Sequence, residues 1–359
     1  MKLLLISNMY PSQNYPGYGI FVRNVVDNLS RYDIHCKNKA VIIGKKTMVI
    51  KKILSYLNLY LKITWYYIFK HYDGIYIHFP NQVSPLLLIL YSIKRTNLIL
   101  NLHGEDLMYK QHGIAKILGK CCEQLMHKSD LIIVPSNYFK TIIQKRRLCN
   151  LNKVFVSPSG GIDNTYLFPS TAMRHTDSIK IGYVGRLEYD KGIFDLILSL
   201  HQIQNKIEYQ AVIVGYGSIK DKIEEYIKLH HLDQKIKLEG GIEQNKLGTI
   251  YNDIDVLIFP SKRESESLGL VGIEAMACGT PVIGTDIGGI PSYLENEYNG
   301  FLVPVGDIDA LCNAIIKFAK LTYSQRKEMR ENSLKTAQRY YRDNVIKELA
   351  GKIINTNTN

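Results

Sequence analysis

Short apolar segments alternate with helical segments along nearly the whole chain. The first series of apolar segments comprises Leu3–Ile6, Gly74–His78, Leu98–Leu102, Leu131–Val134 and Val154–Val156. A second series comprises Ile179–Val184, Gln210–Val214, Lys235–Leu238, Val256–Phe259 and Pro281–Gly284. Continuous apolar strands that are joined by helical crossovers form parallel sheets with both faces covered. The alternation therefore predicts an α/β protein with two doubly wound, Rossmann-like domains.

Glycines and prolines cluster between residues 157 and 170, where the first series ends and the second begins. The length of 359 residues suits two domains of about 150 residues or more. We therefore predict an N-terminal domain over 1–165 and a C-terminal domain over 166–359, with the last helix packing back on the N-terminal domain. Open α/β sheets bind ligands beyond the carboxyl ends of their strands, so substrate is expected in a central cleft between the domains.

The composition narrows the location and the class of ligand. Lys and Arg number 45 against 33 Asp and Glu, and this net charge of +12 favours phosphate-bearing ligands, nucleic acid or an anionic membrane.

The six cysteines form no CxxC pair, which argues against a disulfide framework or a structural zinc site. The N-terminal apolar run is too short for a signal peptide, and the longest apolar tracts are too short or too interrupted to span a membrane. These features predict a cytoplasmic protein with reduced thiols.

The segment 263–281 carries the first candidate ligand site, directly after the predicted strand that ends at Phe259. Gly269 allows close approach of the backbone to a ligand, and a helix beginning at Leu270 would offer unpaired amide donors to a diphosphate. Glu266 in the loop and Glu274 on the helix could accept hydrogen bonds from sugar hydroxyls. Alternatively, both glutamates are ordinary acids that the helix dipole favours near a helix start.

A second candidate site follows the strand that ends at Val184. Gly185, itself a candidate for donor binding, comes directly after this strand, and Arg186 and Lys191 follow it five residues apart. Because both cations leave the same strand end, they can converge on one anion and act as a diphosphate clamp. Each cation taken alone is more readily explained as a solvated surface residue.

The motifs together resemble the retaining glycosyltransferases of family four. The resemblance is carried in the C-terminal half by Arg186 with Lys191, by Glu266 through Glu274, and by Gly279-Thr280-Pro281. In the N-terminal half it is carried by Tyr15–Gly19, His103-Gly104-Glu105-Asp106, Val134-Pro135-Ser136, and the turn Gly160–Asp163, in which Gly160 stands where Asn is usual. It extends over nearly the whole chain and implies the GT-B fold, two Rossmann-like domains with a nucleotide-diphosphate-sugar donor held mainly by the C-terminal domain.

The resemblance also implies roles for the residues of the C-terminal half. Glu274 would bind the ribose hydroxyls, Glu266 the hydroxyls of the donor sugar, and Arg186 with Lys191 the two phosphates. Negative charge grows on the diphosphate as it leaves, so these cations and the helix N-terminus would stabilise the transition state. Stereochemical retention follows from the resemblance alone, and no covalent enzyme nucleophile is expected.

In the N-terminal half, the resemblance implies that His103 contacts the donor sugar and that Gly17 and Gly19 leave room near the phosphates or the acceptor. The alternative for His103 is a histidine packed in a turn, and the two glycines could simply serve a strand-to-helix turn. Gly288 and Gly289 are weaker candidates for the nucleotide base.

No metal or other cofactor is expected, since the nucleotide-sugar is a substrate and the cations already face its diphosphate. Asp253-Ile254-Asp255 and Asp307-Ile308-Asp309 superficially resemble metal motifs, but they abut a strand and a predicted helix start. The expected reaction is sugar transfer to a saccharide or lipid-linked acceptor in cell-surface polysaccharide or glycolipid synthesis.

The segment from Lys51 to Tyr67 is amphipathic, and Lys51, Lys52 and Lys62 fall on one helical face. Such a basic, aromatic face can dock on an anionic membrane surface, which would make the protein peripheral at the inner face of the membrane. Alternatively, the helix packs on its own sheet and the lysines are solvated.

Three other functions compete with glycosyl transfer. A dehydrogenase is disfavoured because Val22 and Lys220 stand where the third glycine of each dinucleotide fingerprint belongs. A nucleotide-sugar epimerase on the same fold is the main alternative. A basic nucleic-acid-binding protein would need clustered cations in a recognised module, and no nucleic-acid partner is expected.

Overall fold

The computed structural model describes residues 1–170 and 178–356, and these form two compact units. The first unit comprises Met1–Gly161 and the segment that begins at Asp343. The second unit comprises Ile162–Arg342. The division thus falls in the glycine- and proline-rich segment, a few residues before the predicted boundary after residue 165, and the C-terminal helix lies with the first unit.

The first unit is built around a sheet of six parallel strands. The strands are β1 (Lys2–Tyr10), β2 (His35–Ile43), β3 (Gly74–His78), β4 (Leu98–Asn101), β5 (Leu131–Val134) and β6 (Val154–Val156). Their order in the sheet is β2-β1-β3-β4-β5-β6, and every neighbouring pair is parallel. The chain moves from β1 to one edge and then returns to the other side of β1. The strand order therefore reverses between β1 and β3, the point at which open α/β sheets bind ligands.

Helices cover both faces of this sheet. They are α1 (Ile20–Leu29), α2 (Val49–Phe69), α3 (Ser84–Ile93), α4 (Gly104–Leu107), α5 (Gly113–Lys128) and α6 (Asn137–Lys145). All five residues of β3 and all four of β5 are buried, as expected for strands that are covered on both faces. Helix α1 buries Val22, Val25, Val26 and Leu29, which lie three or four residues apart on one face of the helix.

The second unit repeats the architecture. Its strands are β7 (Ile179–Val184), β8 (Tyr209–Val214), β9 (Ile236–Glu239), β10 (Val256–Phe259), β11 (Val282–Thr285) and β12 (Gly300–Val303). Its helices are α7 (Ile193–Ile203), α8 (Lys220–Leu229), α9 (Leu247–Asp253), α10 (Leu270–Ala277), α11 (Ile308–Ala319) and α12 (Tyr323–Gln338). The parallel strands lie in the order β12-β11-β10-β7-β8-β9, so the reversal falls between β7 and β10.

The sequence-based strands correspond to ten of these twelve, and the two that were missed, β2 and β12, are edge strands. Strand β2 is polar in its first half, with His35, Lys37, Asn38 and Lys39, and apolar over 40–43. Strand β12 is short and begins with Gly300. The apolar part of each strand is only three or four residues long, and apolar runs this short do not distinguish a strand from a helical segment.

The C-terminal helix α13 (Arg342–Thr356) buries Ile346, Leu349, Ala350 and Ile353 in the core of the first unit. These side chains join Leu3, Leu5 and Val22 in one cluster. No helix in residues 1–170 or 178–356 has the length and apolar content that crossing a membrane requires.

Candidate active site

The candidate residues of the second unit lie where its strand order reverses. Strand β7 ends at Val184 and is followed by Arg186 and Lys191, and the neighbouring strand β10 ends at Phe259 and is followed by Glu266. Carboxyl ends of parallel neighbours lie at the same sheet edge, so the two loops meet. The structure thereby brings together side chains that are 75 residues apart in the chain.

Lys191 and Glu266 form an ion pair in these loops. The Lys191 ammonium Nζ lies 2.6 Å from Glu266 Oε2, and the side chains are only 14% and 12% exposed. Ser261 Oγ donates a second hydrogen bond of 2.8 Å to the same carboxylate oxygen. A pair this far removed from water interacts more strongly than a surface pair, and loss of one partner would leave an uncompensated charge.

The contact between Lys191 and Glu266 bears on the roles predicted for these two residues. The sequence assigned Lys191 to a diphosphate and Glu266 to a sugar, whereas in the structure they bind each other. An incoming phosphate would therefore compete with Glu266 for the ammonium group. Ser261 is a site residue that the sequence analysis missed, although its position two residues after β10 is a usable signal.

Arg186 does not join this pair and is exposed. Its backbone is fixed, because Tyr183 Oη donates a hydrogen bond of 2.7 Å to the Arg186 carbonyl. Gly185, one residue earlier, donates its N–H to Val214 O at 3.0 Å, and a Cβ on Gly215 would lie 1.8 Å from Gly185 O. The loop is thus rigid at its base, and the guanidinium of Arg186 extends from it into solvent.

Glu274 lies on α10 and is buried, with 6% of its surface exposed. Tyr251 Oη, from α9, donates a hydrogen bond of 2.9 Å to Glu274 Oε2. Burial raises the pKa of the Glu274 carboxyl, while hydrogen bonds from Tyr251 and Gln244 act in the opposite direction. Glu274 is therefore an internal group that is anchored by a tyrosine, and not an exposed acid at a helix start.

Helix α10 begins beside this cluster without a side-chain cap. Gly269 precedes the helix with φ of +76°, a left-handed conformation that glycine adopts readily. Its first turn, from Leu270, contains no acidic residue. The first amides of a helix have no partner within the helix, and the first turn of α10 supplies no carboxylate to offset the positive end of the dipole. Such a terminus is suited to an anion, and the diphosphate site expected there stays a prediction.

Gly288 and Gly289, which follow β11, pack directly on the Glu266 loop. The Gly289 N–H donates a hydrogen bond of 2.8 Å to Glu266 O. A Cβ on Gly288 would lie 2.6 Å from the same carbonyl oxygen, and one on Gly289 would lie 2.2 Å from Ser267 O. Within the described residues, these glycines therefore position Glu266, a local role that accounts for them without a nucleotide base.

In the first unit, His103 lies between β4 and α4 and is 9% exposed. Its ring stacks on Phe79 with a centroid distance of 4.0 Å, and its Nε2 lies 3.2 Å from His78 Nδ1. Burial lowers the pKa of His103 to about 3, and it lowers that of His78 as well. His103 is thus a neutral, packed ring at the carboxyl end of β4.

Asp106 closes the turn of His103. Its Oδ2 accepts a hydrogen bond of 2.8 Å from the His103 N–H, and the Asn81 N–H lies 3.5 Å from its Oδ1. Burial raises the pKa of Asp106 to about 7 in spite of these hydrogen bonds. The His103 backbone is therefore fixed by a carboxyl three residues later.

The two glycines after β1 differ in their surroundings. Gly19 has φ of +74° immediately before α1, and a Cβ there would lie 2.7 Å from Met9 C. The turn itself thus requires glycine at Gly19. A Cβ on Gly17 would meet nothing within 4 Å, so no packing contact explains that residue.

The two Asp-x-Asp segments have structural contacts. Asp255 accepts a hydrogen bond of 2.7 Å from the Lys180 N–H, and Asp253 pairs with the Lys180 ammonium. Asp307 caps α11 by accepting a 2.8 Å hydrogen bond from the Ala310 N–H. In the described part of the chain, no cluster of three or more His, Cys, Asp or Glu could hold a metal ion.

Residues 171–336 match the family model of the glycosyl transferases group 1, a segment that includes Arg186, Lys191, Glu266 and Glu274. An uncharacterized glycosyltransferase of Methanocaldococcus jannaschii is 31% identical over 173 residues, which are 48% of this chain and 44% of that protein. The capsular polysaccharide biosynthesis glycosyltransferase CapM of Staphylococcus aureus is 30% identical over 238 residues, which are 63% of this chain and 61% of that protein. The chain thus spans less than two thirds of the length of these two relatives.

The crystal structure of HepE from Anabaena in complex with UDP resembles this chain with a TM-score of 0.78 and 20% sequence identity. The resemblance covers 99% of this chain and all of that one. At this identity it speaks for the fold alone, and it confirms the predicted GT-B fold.

Proposed function

We propose that the chain is a metal-independent retaining glycosyltransferase that moves a sugar from a nucleotide-diphosphate-sugar to a saccharide or lipid-linked acceptor. The observation that carries the proposal is the ion pair of Lys191 and Glu266 where the strand order reverses, inside the segment that matches the group 1 family. CapM, by its name, acts in capsular polysaccharide biosynthesis, which supports a role in making cell-surface polysaccharide or glycolipid. The family match favours transfer over the epimerase and nucleic-acid alternatives.

The donor diphosphate would be bound by Lys191, by Arg186 and by the first amides of α10. HepE was crystallised with UDP, which supports a nucleoside diphosphate as the leaving group. Arg186 is exposed and fixed only at its backbone, so its side chain can move to the phosphates. Lys191 would exchange Glu266 for a phosphate oxygen, and Glu266 would then be free to accept hydrogen bonds from the donor sugar.

This exchange supplies the catalytic effect. As the bond between sugar and diphosphate breaks, negative charge grows on the phosphate oxygens, and the two cations and the N-terminus of α10 would stabilise it once the donor is bound. Preorganised groups of this kind contribute about 3 kcal/mol each in well-studied enzymes. Glu274, held by Tyr251, would bind the ribose. His103 is neutral, so it would act on the donor sugar as a hydrogen-bonding group and would add no charge.

A ligand screen by thermal shift tests the donor. UDP-, GDP- and ADP-sugars should be compared, since a ligand that binds only the folded chain stabilises it by RT ln(1 + [L]/Kd). At a hundredfold excess over Kd this amounts to about 2.7 kcal/mol, which is readily measured. One nucleotide should stabilise the protein clearly more than the others. If none of these sugar nucleotides raises the melting temperature, the proposed substrate class is wrong.

Side-chain replacements test the roles. Lys191→Met and Arg186→Gln should each weaken UDP affinity by about tenfold or more, because each removes a charge-assisted hydrogen bond. Glu266→Gln should raise UDP affinity, because it removes the carboxylate that competes with phosphate for Lys191, and it should lower the transfer rate by about a hundredfold. Glutamine and methionine are preferred to alanine because the pair is partly buried, and melting temperatures should be recorded to detect loss of stability.

Lys246→Met is the matched control, since Lys246 forms an exposed ion pair with Glu243 in the same unit. It should leave both binding and transfer unchanged. Wild-type transfer by Lys191→Met and Glu266→Gln would refute the assigned roles. Isotope exchange at a sugar carbon in the absence of an acceptor would instead indicate the epimerase.

A further inference from the structure

Helix α2 presents a large apolar surface to solvent. Nine of its side chains are 45–73% exposed, namely Val49, Ile50, Ile53, Leu54, Leu57, Leu61, Trp65, Ile68 and Phe69. We refer to these nine residues as the exposed apolar face of α2. Only Leu59, Ile63 and Tyr67 of the helix are buried against the sheet. A helix that merely packed on its own sheet would have polar residues on its outer side, so that account does not explain this face.

The exposed apolar face is continuous along the helix. Val49, Ile53, Leu57, Leu61, Trp65 and Phe69 follow one another at intervals of four residues and thus form one ridge. The Trp65 and Phe69 rings are in contact, with centroids 4.5 Å apart. At 1.5 Å per residue, the 21-residue helix is about 30 Å long. The ridge winds about half a turn around the helix, and the other exposed apolar residues of α2 lie on the same side, so the nine together cover about half of the helix surface along its whole length.

The charge around this face is almost entirely positive. Residues 34–72 contain eight lysines and no Asp or Glu, and Lys51, Lys52, Lys62 and Lys70 are exposed on or next to α2. Residues 1–161 contain 22 Lys and Arg against 7 Asp and Glu, a net charge of +15. Residues 162–342 contain 21 against 24, a net charge of −3. The positive charge of the protein is thus concentrated in the unit that carries α2.

The C-terminal end of helix α3 also carries exposed apolar and basic side chains. Ile89 and Ile93 are 61% and 71% exposed, and the exposed cations Lys94 and Arg95 follow them. The end of α3 is tied to α2, because Tyr67 Oη donates a hydrogen bond of 2.7 Å to Lys94 O. Lys70, Lys94 and Arg95 also line a cavity of about 300 Å³, together with Asp73.

We propose that α2 docks in the surface of a membrane containing anionic phospholipid. The exposed apolar face enters the boundary between headgroups and acyl chains, and the lysines contact the negatively charged headgroups. Charge favours this occupant over a second copy of the chain, since two such faces would bring like charges together. The inference stands on α2 and its charges alone and does not rest on the proposed transfer reaction.

Vesicle binding tests the proposal directly. The full chain should float with phosphatidylcholine vesicles that contain phosphatidylglycerol and should bind vesicles of pure phosphatidylcholine at least about tenfold more weakly. Trp65 is the sole tryptophan, so tryptophan fluorescence reports on α2 specifically. Its emission should shift to shorter wavelength with anionic vesicles. Raising the salt from about 0.05 M to about 0.5 M should weaken the binding, because salt screens the attraction.

Two sets of variants separate the apolar and the basic contributions. The first variant combines Ile53→Gln, Leu57→Gln and Leu61→Gln. The second combines Lys51→Gln, Lys52→Gln and Lys62→Gln. Each triple variant should lower vesicle binding by about tenfold or more. The side chains are exposed, so the melting temperature should change little. The controls replace exposed residues of the second unit. The apolar control combines Leu229→Gln and Val305→Gln, and the basic control combines Lys206→Gln, Lys222→Gln and Lys228→Gln. They should bind vesicles like the wild type.

Three outcomes would overturn the proposal. The wild type could fail to bind anionic vesicles at low salt, or the α2 variants could bind as well as the wild type. A concentration-dependent dimer that shields Trp65 and is lost in the Ile53, Leu57 and Leu61 variant would assign the face to a second copy instead.

Discussion

At the scale of single residues, the structure shows a contact between Lys191 and Glu266 that neither motif predicts by itself. From the sequence alone, Lys191 could be a solvated surface lysine, and Glu266 could be an ordinary acid near a helix start. In the structure both side chains are nearly buried, so neither is a solvated surface residue. They contact each other at 2.6 Å, and this pairing offsets the cost of burying each charge. Ser261 and the Gly289 N–H fix the carboxylate and its loop, so the pair lies in a rigid setting.

The buried pair of His103 and Asp106 predicts opposite pH effects on the stability of the first unit. Burial lowers the pKa of His103 from 6.5 to about 3, so below pH 6.5 the unfolded chain binds a proton that the folded chain excludes. The free energy of unfolding therefore falls as the pH drops from 6.5 towards 3. Burial raises the pKa of Asp106 from 3.8 to about 7, so its stabilising contribution is lost as the pH rises through that range.

Urea unfolding followed by Trp65 fluorescence between about pH 7 and about pH 4 measures both effects, because Trp65 lies in the first unit. His103→Gln should reduce the loss of stability in acid, and Asp106→Asn should increase it. Each change should exceed about 1.4 kcal/mol, the free energy of one pKa unit. Equal acid sensitivity of both variants and the wild type would contradict the assigned protonation states.

At the scale of secondary-structure elements, the loop from β7 to α7 is determined by its contact with the end of β10. Gly192 precedes α7 with φ of +69°, and a Cβ there would lie 1.8 Å from Pro260 O. Lys191 is the preceding residue, so this close approach of two backbones sets the position of its side chain relative to the β10 loop.

Gly192→Ala should therefore destabilise the second unit and weaken UDP binding. Gly306→Ala is the control, since Gly306 has φ of +72° but nothing within 4 Å of its would-be Cβ. The control should cost about 1–2 kcal/mol from the left-handed backbone alone. Gly192→Ala adds a backbone clash and should cost at least about 3 kcal/mol, as measured by urea unfolding followed by circular dichroism. Equal costs would mean that the contact with Pro260 relaxes freely.

At the scale of the whole molecule, the chain returns to its first unit through α13. Leu349 is 1% exposed within the cluster that contains Leu3, Leu5 and Val22. The stability of the first unit thus depends on residues nearly 350 positions after its first strand, which closes a long chain loop.

Leu349→Ala should lower the stability of the first unit by about 2–5 kcal/mol, the usual cost of a Leu→Ala cavity. Ile354→Ala on the same helix is the control, because Ile354 is 42% exposed, and it should cost less than about 1 kcal/mol. Trp65 fluorescence during urea unfolding reports the change in the first unit. Unchanged unfolding of Leu349→Ala by this probe would show that α13 does not contribute to that core.

The sequence by itself determined the fold class, because continuous apolar strands separated by helices can only be satisfied by parallel sheets covered on both faces. It also placed Arg186 and Lys191 at one strand end, since these positions depend on local order in the chain. The tertiary structure decided that Lys191 binds Glu266, that Glu274 is buried against Tyr251, and that the apolar side of α2 faces solvent. Those features depend on which distant segments pack together, and neither periodicity nor motif spacing contains that information.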